Sequence, residues 1–341
     1  MKFKLFCLGL GLMVLFGGCS SASSNSPEEY SQTIFAMDTA MTLTAYGEGC
    51  EAAVNAAISE INRLDALFSV NNENSDIYRL NNEKSAQVSD DTYSLLGSAI
   101  DFYEKTYGAL DVAVYPAVKA WGFTTGEHRV PSDSELSELK THIGAENIIL
   151  GENNTVTLTD SLAEVDLGSV AKGYASDLVC NVMKNTGITS GIVSLGGNVE
   201  TIGVKTDGSL WKIGVTDPSD ESSLIGTLSL ENKAVITSGS YQRYFDLDGV
   251  RYHHIIDPET CAPARSGLTS VTIVSDSGLT ADAYSTAVFV MGLEKGSDFW
   301  RSSSDSFDIV FITDEGEVYI TEGLKNAFVP RDDIEPVIIE R

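Results

Sequence analysis

Three oxygen-bearing side chains stand at helical spacing late in the chain. Asp282, Ser285 and Thr286 occupy positions i, i+3 and i+4, which share one face of an α-helix. A carboxylate and two hydroxyl oxygens are hard ligands, and they suit a Mg²⁺ ion that keeps part of its water and binds substrate phosphate. The same spacing also fits a polar helix start, in which Thr280 is the cap and Asp282 lies in the first turn.

A glycine-containing segment offers a place for a phosphate group. Residues 166–175 read Asp-Leu-Gly-Ser-Val-Ala-Lys-Gly-Tyr-Ala. Gly168 and Gly173 permit close approach of a ligand to the backbone, and a helix that begins near Ser169 would point free N–H groups at an anion. Lys172 adds a positive charge. Glycine-containing helix starts without a ligand are common, so the form of the motif alone favours a structural role.

Two of the four histidines are adjacent in the segment Tyr252–Thr260. A histidine beside Asp257 is a natural general base for activating a hydroxyl group. Because side chains alternate across a strand, His253 and His254 cannot both face one site. The alternative is a pair of half-exposed histidines at a sheet edge, with Asp257 in an Asx turn before Pro258.

Three further segments carry groups that a nucleotide could use. The strand end before Asn198 runs into a double glycine, a tight turn with free backbone amides. Asp111 and the rings of Trp121 and Phe123 suit an adenine or isoalloxazine ring, although core packing is the usual fate of aromatic side chains. The segment 234–241 predicts a buried strand that ends in hydroxyls and a glycine turn.

Helical and strand patterns mix irregularly along the chain. Strand blocks combined with helices favour an α+β fold over a doubly wound sheet. We expect mixed or antiparallel sheets with packed helices and two interleaved subdomains. Apolar spacing and turn residues predict helices over 51–68, 90–107 and 279–291, a short helix after 131 and one after 168, with strands over 33–46, 191–275 and 308–321 and a hairpin at 151–154.

The chain of 341 residues is strongly acidic, with a net charge of −27. Such a surface repels nucleic acid and anionic lipid headgroups, which argues against both as partners. It also repels phosphorylated substrates, so a phosphate ligand needs a cation or a focused set of donors. Outside the N-terminal segment the cysteines are Cys50, Cys180 and Cys261. They are too few for a disulfide-built scaffold and lack zinc-site spacing, and the sequence leaves open whether any two of them pair.

The first residues have the pattern of an export signal. Lys2 and Lys4 precede an apolar run from Leu5 to Phe16 that is too short to span a membrane as an ordinary helix. Small residues and then Cys19 follow, before a polar Ser-rich stretch. This resembles a bacterial lipoprotein signal, in which the cysteine becomes the lipidated first residue. The alternative is an ordinary signal peptide with an incidental cysteine. Both predict export, and the first predicts a lipid anchor on the outer face of the cell membrane.

Together and in this order, the segments resemble the FAD:protein FMN transferases, the ApbE-like flavin transferases. The likeness extends from Phe35 to Gly292 and opens with Phe35–Thr39, where Asp38 replaces the usual glycine. Ser169 and Cys261 also stand where the family commonly has glycine, which bears on local loop shape. The resemblance implies an ApbE-like fold for a transferase domain at 33–330. The N-terminal pattern predicts a signal peptide at 1–18 and a tether at 19–32 before it, and a tail at 331–341 follows it.

The resemblance also implies roles for particular residues. His254, in a His-Ile-Ile-Asp-Pro motif, is implied to act in transfer, with Asp282 as the other candidate for the hydroxyl proton. Magnesium is implied at the carbonyl of Ala171 and at Asp282 and Thr286, with Ser285 beside them. An asparagine at 71 is similar to members that also hydrolyse FAD. The implied FAD contacts are Met37, Asn71, Asp111, Val112, Ala113, Gly168, Lys172, Tyr174 and Ile256.

The implied reaction is magnesium-dependent transfer of FMN from FAD to a threonine hydroxyl of an acceptor protein, with release of AMP. In-line displacement at a diphosphate needs charge neutralisation and positioning more than covalent chemistry from the enzyme. A tethered location fits acceptors that are exported or membrane-bound redox proteins. Two alternatives stay open from the sequence: an FAD pyrophosphatase that gives FMN and AMP, and a flavin-binding lipoprotein without catalysis.

Overall fold

The computed structural model describes residues 27–341, so the predicted signal peptide and Cys19 lie outside the described residues. The helices are α1 (Cys50–Phe68), α2 (Asp76–Glu83), α3 (Asp90–Lys105), α4 (Tyr115–Ala120), α5 (Asp133–Leu139), α6 (Ala171–Asn185) and α7 (Gly278–Ser302). The strands of the first half are β1 (Glu29–Ala36), β2 (Thr39–Tyr46), β3 (Ser85–Gln87), β4 (Ile148–Leu150), β5 (Thr155–Leu158), β6 (Ser190–Leu195) and β7 (Asn198–Ile202).

The second half of the chain is richer in strands. They are β8 (Trp211–Asp217), β9 (Asp220–Leu230), β10 (Ala234–Gly239), β11 (Tyr244–Leu247), β12 (Val250–His253), β13 (Ile256–Asp257), β14 (Ala262–Pro263), β15 (Leu268–Ser275), β16 (Phe307–Thr313), β17 (Val318–Thr321), β18 (Phe328–Pro330) and β19 (Val337–Ile339). Strands and helices mix without a repeating strand–helix unit, as an α+β fold requires.

One large sheet organises the molecule, with strand order β1-β2-β6-β7-β10-β15-β16-β17-β19 within residues 27–341. Its neighbours pair antiparallel except for the parallel pair β17 and β19. Side-chain alternation gives the sheet two buried faces. Ile236 and Ile273 pack in the core under the helices, whereas their neighbours Val235 and Val274 pack against the small sheet β18-β9-β8. Helices, large sheet and small sheet therefore form three layers.

The ends of the fold differ from the predicted boundaries. β1 begins at Glu29, so the last residues of the predicted tether already pair with β2. At the other end, β19 lies within the predicted tail and pairs with β17. Short edge strands of this kind carry little apolar periodicity, and tertiary pairing defines them. The globular fold therefore includes residues on both sides of 33–330.

Helices α6 and α7 cross where each has a glycine. A Cβ atom on Gly173 would lie 2.3 Å from the carbonyl oxygen of Gly278, and one on Gly278 would lie 2.2 Å from the hydroxyl of Ser176. The side chain of Asp177 on α6 accepts hydrogen bonds from the backbone N–H groups of Gly278 and Leu279 at 2.6 and 3.0 Å. The carboxylate thus satisfies free N–H groups at the start of α7 and favours its dipole.

The start of α7 also distinguishes between the two interpretations of its polar residues, a metal-binding face and a polar helix start capped by Thr280. Ser277 is the N-cap, and its hydroxyl accepts a hydrogen bond from the N–H of Thr280 at 3.2 Å. The interpretation with Thr280 as cap is therefore wrong, and Asp282 lies beyond the first residues that need capping. In the same way α6 begins at Ala171, slightly later than the start predicted near Ser169.

Two observations concern membranes and thiols. No helix within residues 27–341 is both long and apolar enough to cross a bilayer. Cys50, Cys180 and Cys261 are each buried and free. The described fold is therefore held by packing and hydrogen bonds, without a disulfide among these three residues.

The glycine crossing gives a testable prediction. Gly173→Ala should lower the free energy of unfolding by about 1–3 kcal/mol because its Cβ would overlap the backbone of α7 and the Cβ of Asp282. Gly97→Ala is the matched control, since its Cβ would lie 3.4 Å from a side-chain atom of Leu150 and alanine is the better helix former. Thermal and urea unfolding of both variants measure the difference. Equal stability of the two variants would contradict a tight crossing.

Candidate active site

A cleft of about 810 Å³ opens where several distant segments meet. Its walls include the turn between β1 and β2, the residues that precede α6, one face of α7, and the chain from His254 to Pro258. Residue types singled out three of these segments, and the resemblance to flavin transferases pointed to the turn between β1 and β2. The fold brings them together although they span most of the chain.

Asp282 and Thr286 form the α7 wall of the cleft. The backbone N–H of Gly173 donates to Oδ2 of Asp282 at 2.8 Å, so the glycine crossing fixes this carboxylate directly. Ser285, predicted as a third ligand, is fully buried away from the cleft. Its hydroxyl lies 2.9 Å from the carbonyl oxygen of Asp282 and 2.8 Å from the hydroxyl of Ser238 on β10. Ser285 therefore supports the wall from behind.

Ser238 contributes a hydroxyl in place of Ser285. It lines the cleft, and its oxygen lies 3.4 Å from that of Thr286. On this side of the cleft, α7 and β10 thus present a carboxylate and two hydroxyls, from Asp282, Thr286 and Ser238. This is the donor set of a hard cation such as Mg²⁺. No cluster of three His, Cys, Asp or Glu side chains suited to a metal occurs between residues 27 and 341, so a metal here would depend on such a mixed set.

Burial raises the pKa of Asp282, while Lys172, the Gly173 N–H and the amide of Asn198 oppose that rise. Lys172 stands at the start of α6 and lines the cleft, and its ammonium lies 3.3 Å from the carbonyl oxygen of Gly168. A buried carboxylate of this kind is stabilised by a nearby cation. Lys172 therefore favours the ionised form of Asp282, which is the form that can bind a metal ion.

Asp166 and Gly168 line the same wall before α6. The N–H of Gly168 donates to Oδ1 of Asp166 at 2.5 Å. Burial raises the pKa of Asp166, the charges of Arg243 and Lys172 lower it, and Asp38 raises it further. These charged groups therefore act on one another across a single cleft.

His254 faces the cleft and His253 faces the core, as strand alternation requires. The Nδ1 of His254 lies 3.2 Å from the carbonyl oxygen of Arg243; since a carbonyl only accepts, Nδ1 carries the proton and Nε2 is free to accept one. Burial, with the charge of Arg243, lowers the pKa of His254 to about 3. The ring is therefore neutral at ordinary pH.

Asp257 does not orient this histidine. Its Oδ1 accepts the N–H of Glu259 at 2.8 Å in an Asx turn, as the alternative interpretation proposed. The partner of His254 is instead the backbone of Arg243, which also accepts the His254 N–H at 3.0 Å. Ile256, beyond His254, lines the cleft as predicted for a ligand contact.

Met37 lies at the tip of the β1–β2 hairpin and lines the cleft. Met37 and Asp38 both have positive φ, 47° and 59°, as a two-residue type I′ turn requires. A methionine at positive φ raises the free energy of the folded backbone. Glycine at position 38 would relieve strain in this turn, but this chain has Asp38 there. The N–H of Met37 donates to Asp65 on α1 at 3.0 Å, which holds the turn in place.

Several residues predicted as ligand contacts lie elsewhere. Asn71 is exposed in the loop after α1, and Tyr174 donates to Asp91 at 2.7 Å and packs against Phe68. Val112, Ala113 and Ala171 are buried behind the wall, and the predicted carbonyl ligand at Ala171 stays a prediction. Trp121 is buried with its Nε1 donating to the carbonyl oxygen of Cys261 at 2.8 Å. Only Phe123 of the aromatic pair lines the cleft.

The cleft is also lined by three groups that the sequence did not predict: Ser238, Arg243 and the side chain of Asn198. The segment of Ser238 was noted for its hydroxyls, but none of its residues was assigned. A signal for Arg243 was the scarcity of cations, since the chain has 22 Lys and Arg against 49 Asp and Glu. Among the charged lining groups, Lys172 and Arg243 face five carboxylates, those of Asp38, Asp111, Asp166, Glu221 and Asp282.

The chain is similar to known proteins over most of its length. The chain matches the model of the ApbE family over residues 37–311. A protein of Klebsiella pneumoniae named FAD:protein FMN transferase is 31% identical over 308 residues, which cover 89% of this chain and 95% of the relative. A protein of Treponema pallidum with the same name is 31% identical over 93% of each chain.

Solved structures agree as well. The ApbE protein of Thermotoga maritima superposes with a TM-score of 0.82 and 35% identity, over 87% of this chain and 98% of that one. The flavin transferase ApbE of Vibrio cholerae gives a TM-score of 0.78 with 29% identity, over 88% and 99%. With both the extent of the family match and the architecture in agreement, this chain belongs to the ApbE family, that of the FAD:protein FMN transferases.

Proposed function

We propose that this protein is a magnesium-dependent FAD:protein FMN transferase that modifies a threonine of an exported or membrane-bound redox protein. The threonine oxygen forms a bond to the FMN phosphorus of FAD, the bond from that phosphorus to the bridging oxygen breaks, and AMP leaves. The observation that carries the proposal is a single cleft that holds the oxygen donors of Asp282 and Thr286, the cation Lys172 and the neutral base His254. Its volume of about 810 Å³ lies within the usual range for ligand sites.

Magnesium would be held by Asp282 and Thr286, with Ser238 near enough to assist. The reason is electrostatic, because the carboxyl groups that line the cleft outnumber its two cations and would otherwise repel a diphosphate. When bound, Mg²⁺ neutralises negative charge on the phosphates and orients them. Asp282 remains fixed by the Gly173 N–H, and Lys172 adds a second positive charge nearby.

His254 is our candidate for taking the hydroxyl proton. Its neutral ring presents Nε2 as an acceptor, and Arg243 fixes the ring through Nδ1. Because burial lowers its pKa to about 3, the base form is present throughout the physiological range. A histidine base in a transfer reaction contributes on the order of 10²–10⁴ in rate.

Asp111 offers a polar contact to a bound flavin or adenine ring. Its Oδ1 accepts the Ala113 N–H at 2.8 Å, whereas Oδ2 is buried without a partner among the described residues. Burial raises the pKa of this carboxyl to about 7. A protonated carboxyl on the cleft wall can donate to a ring nitrogen or carbonyl, which an ionised one cannot.

The membrane location remains part of the proposal. A lipid at Cys19 would leave a short connection before β1 begins at Glu29, which holds the cleft near the membrane and its protein acceptors. The acidic surface repels anionic headgroups, so attachment would depend on the lipid. Mass spectrometry of the mature N-terminus tests whether Cys19 carries a lipid.

The central test combines FAD, Mg²⁺ and a candidate acceptor with the purified enzyme. We expect the acceptor to gain the mass of an FMN phosphoester at one threonine, with one AMP released for each. Asp282→Ala should abolish both products because the metal carboxylate is lost. AMP formation that ignores the acceptor would instead indicate an FAD pyrophosphatase, and intact FAD on a yellow protein would indicate a flavin-binding lipoprotein.

Ser285→Ala is the matched control for Asp282→Ala. Its hydroxyl faces Ser238 and not the cleft, so the variant should keep its magnesium requirement and most of its activity. Full activity in Asp282→Ala would refute the metal assignment.

His254→Ala should slow FMN transfer about 10²-fold or more while FAD affinity changes little. The reason is that Nε2 acts on the hydroxyl proton, whereas His254 is one contact among many for the ligand. Single-turnover transfer rates and a separate FAD titration measure the two effects. Loss of FAD binding with unchanged turnover per bound FAD would contradict the assignment.

Asp111→Asn should stabilise the protein at pH 8. The folded pKa of about 7 is higher than that of an unfolded aspartate, so the folded state binds more protons between about pH 4 and 7 and wild-type stability falls as pH rises through that range. Asparagine stays neutral and avoids the fall. Urea unfolding at pH 8 and pH 4.5 should show a gain at pH 8 alone, and exposed Asp101→Asn should show none. A gain of equal size at both pH values would rule out this carboxyl as the cause.

A further inference from the structure

The hairpin formed by β11 and β12 rises from the wall of the cleft. Arg243 immediately precedes β11 and His254 immediately follows β12, and both residues line the cleft. The N–H of His254 donates to the carbonyl oxygen of Arg243 at 3.0 Å, which closes the base of the hairpin. Its two strands form a sheet of their own and pair with no other strand between residues 27 and 341. Side-chain packing must therefore hold the hairpin in place.

Aromatic packing holds the lower half of the hairpin. The ring of Phe245 stacks on Tyr252 with a centroid distance of 5.2 Å and on His128 with one of 4.7 Å. Phe123, which lines the cleft, has its ring centroid 5.6 Å from that of Phe245. The ring centroids of Trp121 and Tyr252 are 5.2 Å apart. The cleft wall is thus continuous with one face of the hairpin.

The tip of the hairpin carries apolar side chains on that same face. Leu247 and Val250 are partners on either side of the Asp248–Gly249 turn, whose φ values of 52° and 77° fit a type I′ turn. Leu247 is 43% exposed and Val250 is 42% exposed. Because residues i and i+2 of a strand share a face, these two continue the row that Phe245 and Tyr252 begin. The four residues form an apolar strip that runs from the cleft wall to solvent.

The size and surroundings of this apolar strip indicate what kind of partner would cover it. Contiguous apolar surface on a folded protein marks an interaction site. Four side chains offer far less than the roughly 800 Å² per partner that a stable complex buries, which argues against a permanent dimer. The net charge of −27 repels anionic headgroups, which argues against a membrane surface. A protein that binds transiently fits the small area.

The reaction of the family supplies such a partner. An FAD:protein FMN transferase must bring a group of a second protein to the phosphorus of FAD, and the hairpin leads from solvent to His254 in the cleft. Val250 precedes His254 by four residues, which is about 13 Å of strand. An extended segment of an acceptor protein could therefore contact the tip of the hairpin while its threonine lies at the histidine.

We propose that the apolar strip of Phe245, Leu247, Val250 and Tyr252 binds the acceptor protein and guides its threonine to His254. The inference rests on the proposed function, since it assumes transfer to a protein at this histidine. None of the four residues of the strip lines the cleft itself. The strip therefore adds affinity for the acceptor and contributes nothing to the binding of FAD.

The experiment uses the acceptor protein that gains FMN from FAD. The double variant Leu247→Thr/Val250→Thr removes apolar surface at the tip and leaves a β-branched residue at both positions, as strands favour. It should raise the KM for the acceptor about tenfold, because apolar contacts that exclude water are lost. The kcat at saturating acceptor and the Kd for FAD should keep their wild-type values, since the cleft is unchanged.

Val329 and Val337 provide the matched control. They lie on β18 and β19, are 61% and 50% exposed, and do not line the cleft. The double variant Val329→Thr/Val337→Thr makes the same kind of change on another part of the surface. It should leave the KM for the acceptor, the kcat and the Kd for FAD unchanged.

A second measurement detects the contact directly. The photoreactive residue p-benzoylphenylalanine replaces Val250 in one variant and Val329 in another. Illumination of each variant with the acceptor should give a covalent adduct from position 250 and none from position 329.

The outcomes separate the inference from the proposed function. An unchanged KM for the acceptor, equal rises in both double variants, or a loss of FAD affinity in the hairpin variant overturns the inference and leaves the proposed function in place. The same holds if position 250 gives no adduct or links only to a second copy of the enzyme. If no protein gains FMN, the proposed function fails and the inference with it. A rise in KM confined to the hairpin variant, with an adduct from position 250, supports both.

Discussion

The contact between Gly173 and Asp282 is the constraint on which the site depends. Their hydrogen bond of 2.8 Å joins residues 109 positions apart. It forms because α6 and α7 approach so closely that neither glycine at the crossing leaves room for a Cβ atom. Asp177 then holds the start of α7 through its N–H groups. As a result, two segments form one wall of the cleft. The start of α6 carries Lys172 and backbone groups that could bind a phosphate, and α7 carries the carboxylate of Asp282.

The charges that line the cleft bear on how so acidic a protein would bind a phosphorylated ligand at this wall. The cleft combines five carboxylates with two cations, and burial raises the pKa of both Asp166 and Asp282. A free phosphate would bind weakly in such surroundings, because nearby negative charges repel it. The divalent cation of the proposed function would offset the carboxylates instead. The acidic composition therefore fits the proposed metal-bound dinucleotide better than a phosphate ligand without a metal.

Local periodicity accounts for what the sequence could predict. Helical spacing placed Asp282 and Thr286 on the cleft, and strand alternation separated His254 from His253. The same spacing wrongly predicted that Ser285 faces the cleft. Its hydroxyl pairs instead with the hydroxyl of Ser238 on β10. Arg243 belongs to no local pattern, and contact with a distant segment helps to place it, since its guanidinium donates to the carbonyl of Phe123. Asn198 follows the Gly-Gly turn, but its position on the cleft depends on how β7 pairs within the large sheet. The short strand β19 was missed for the same reason.

Several unfavourable local features of the structure lie on this cleft. Met37 and Asp38 keep left-handed backbone at the hairpin tip, and Asp111 keeps a buried polar atom unpaired. Folding alone would favour glycine in the hairpin turn and an apolar residue at the unpaired position. Their persistence is explained if a ligand supplies the missing contacts, so that the cleft gains most stability when it is filled.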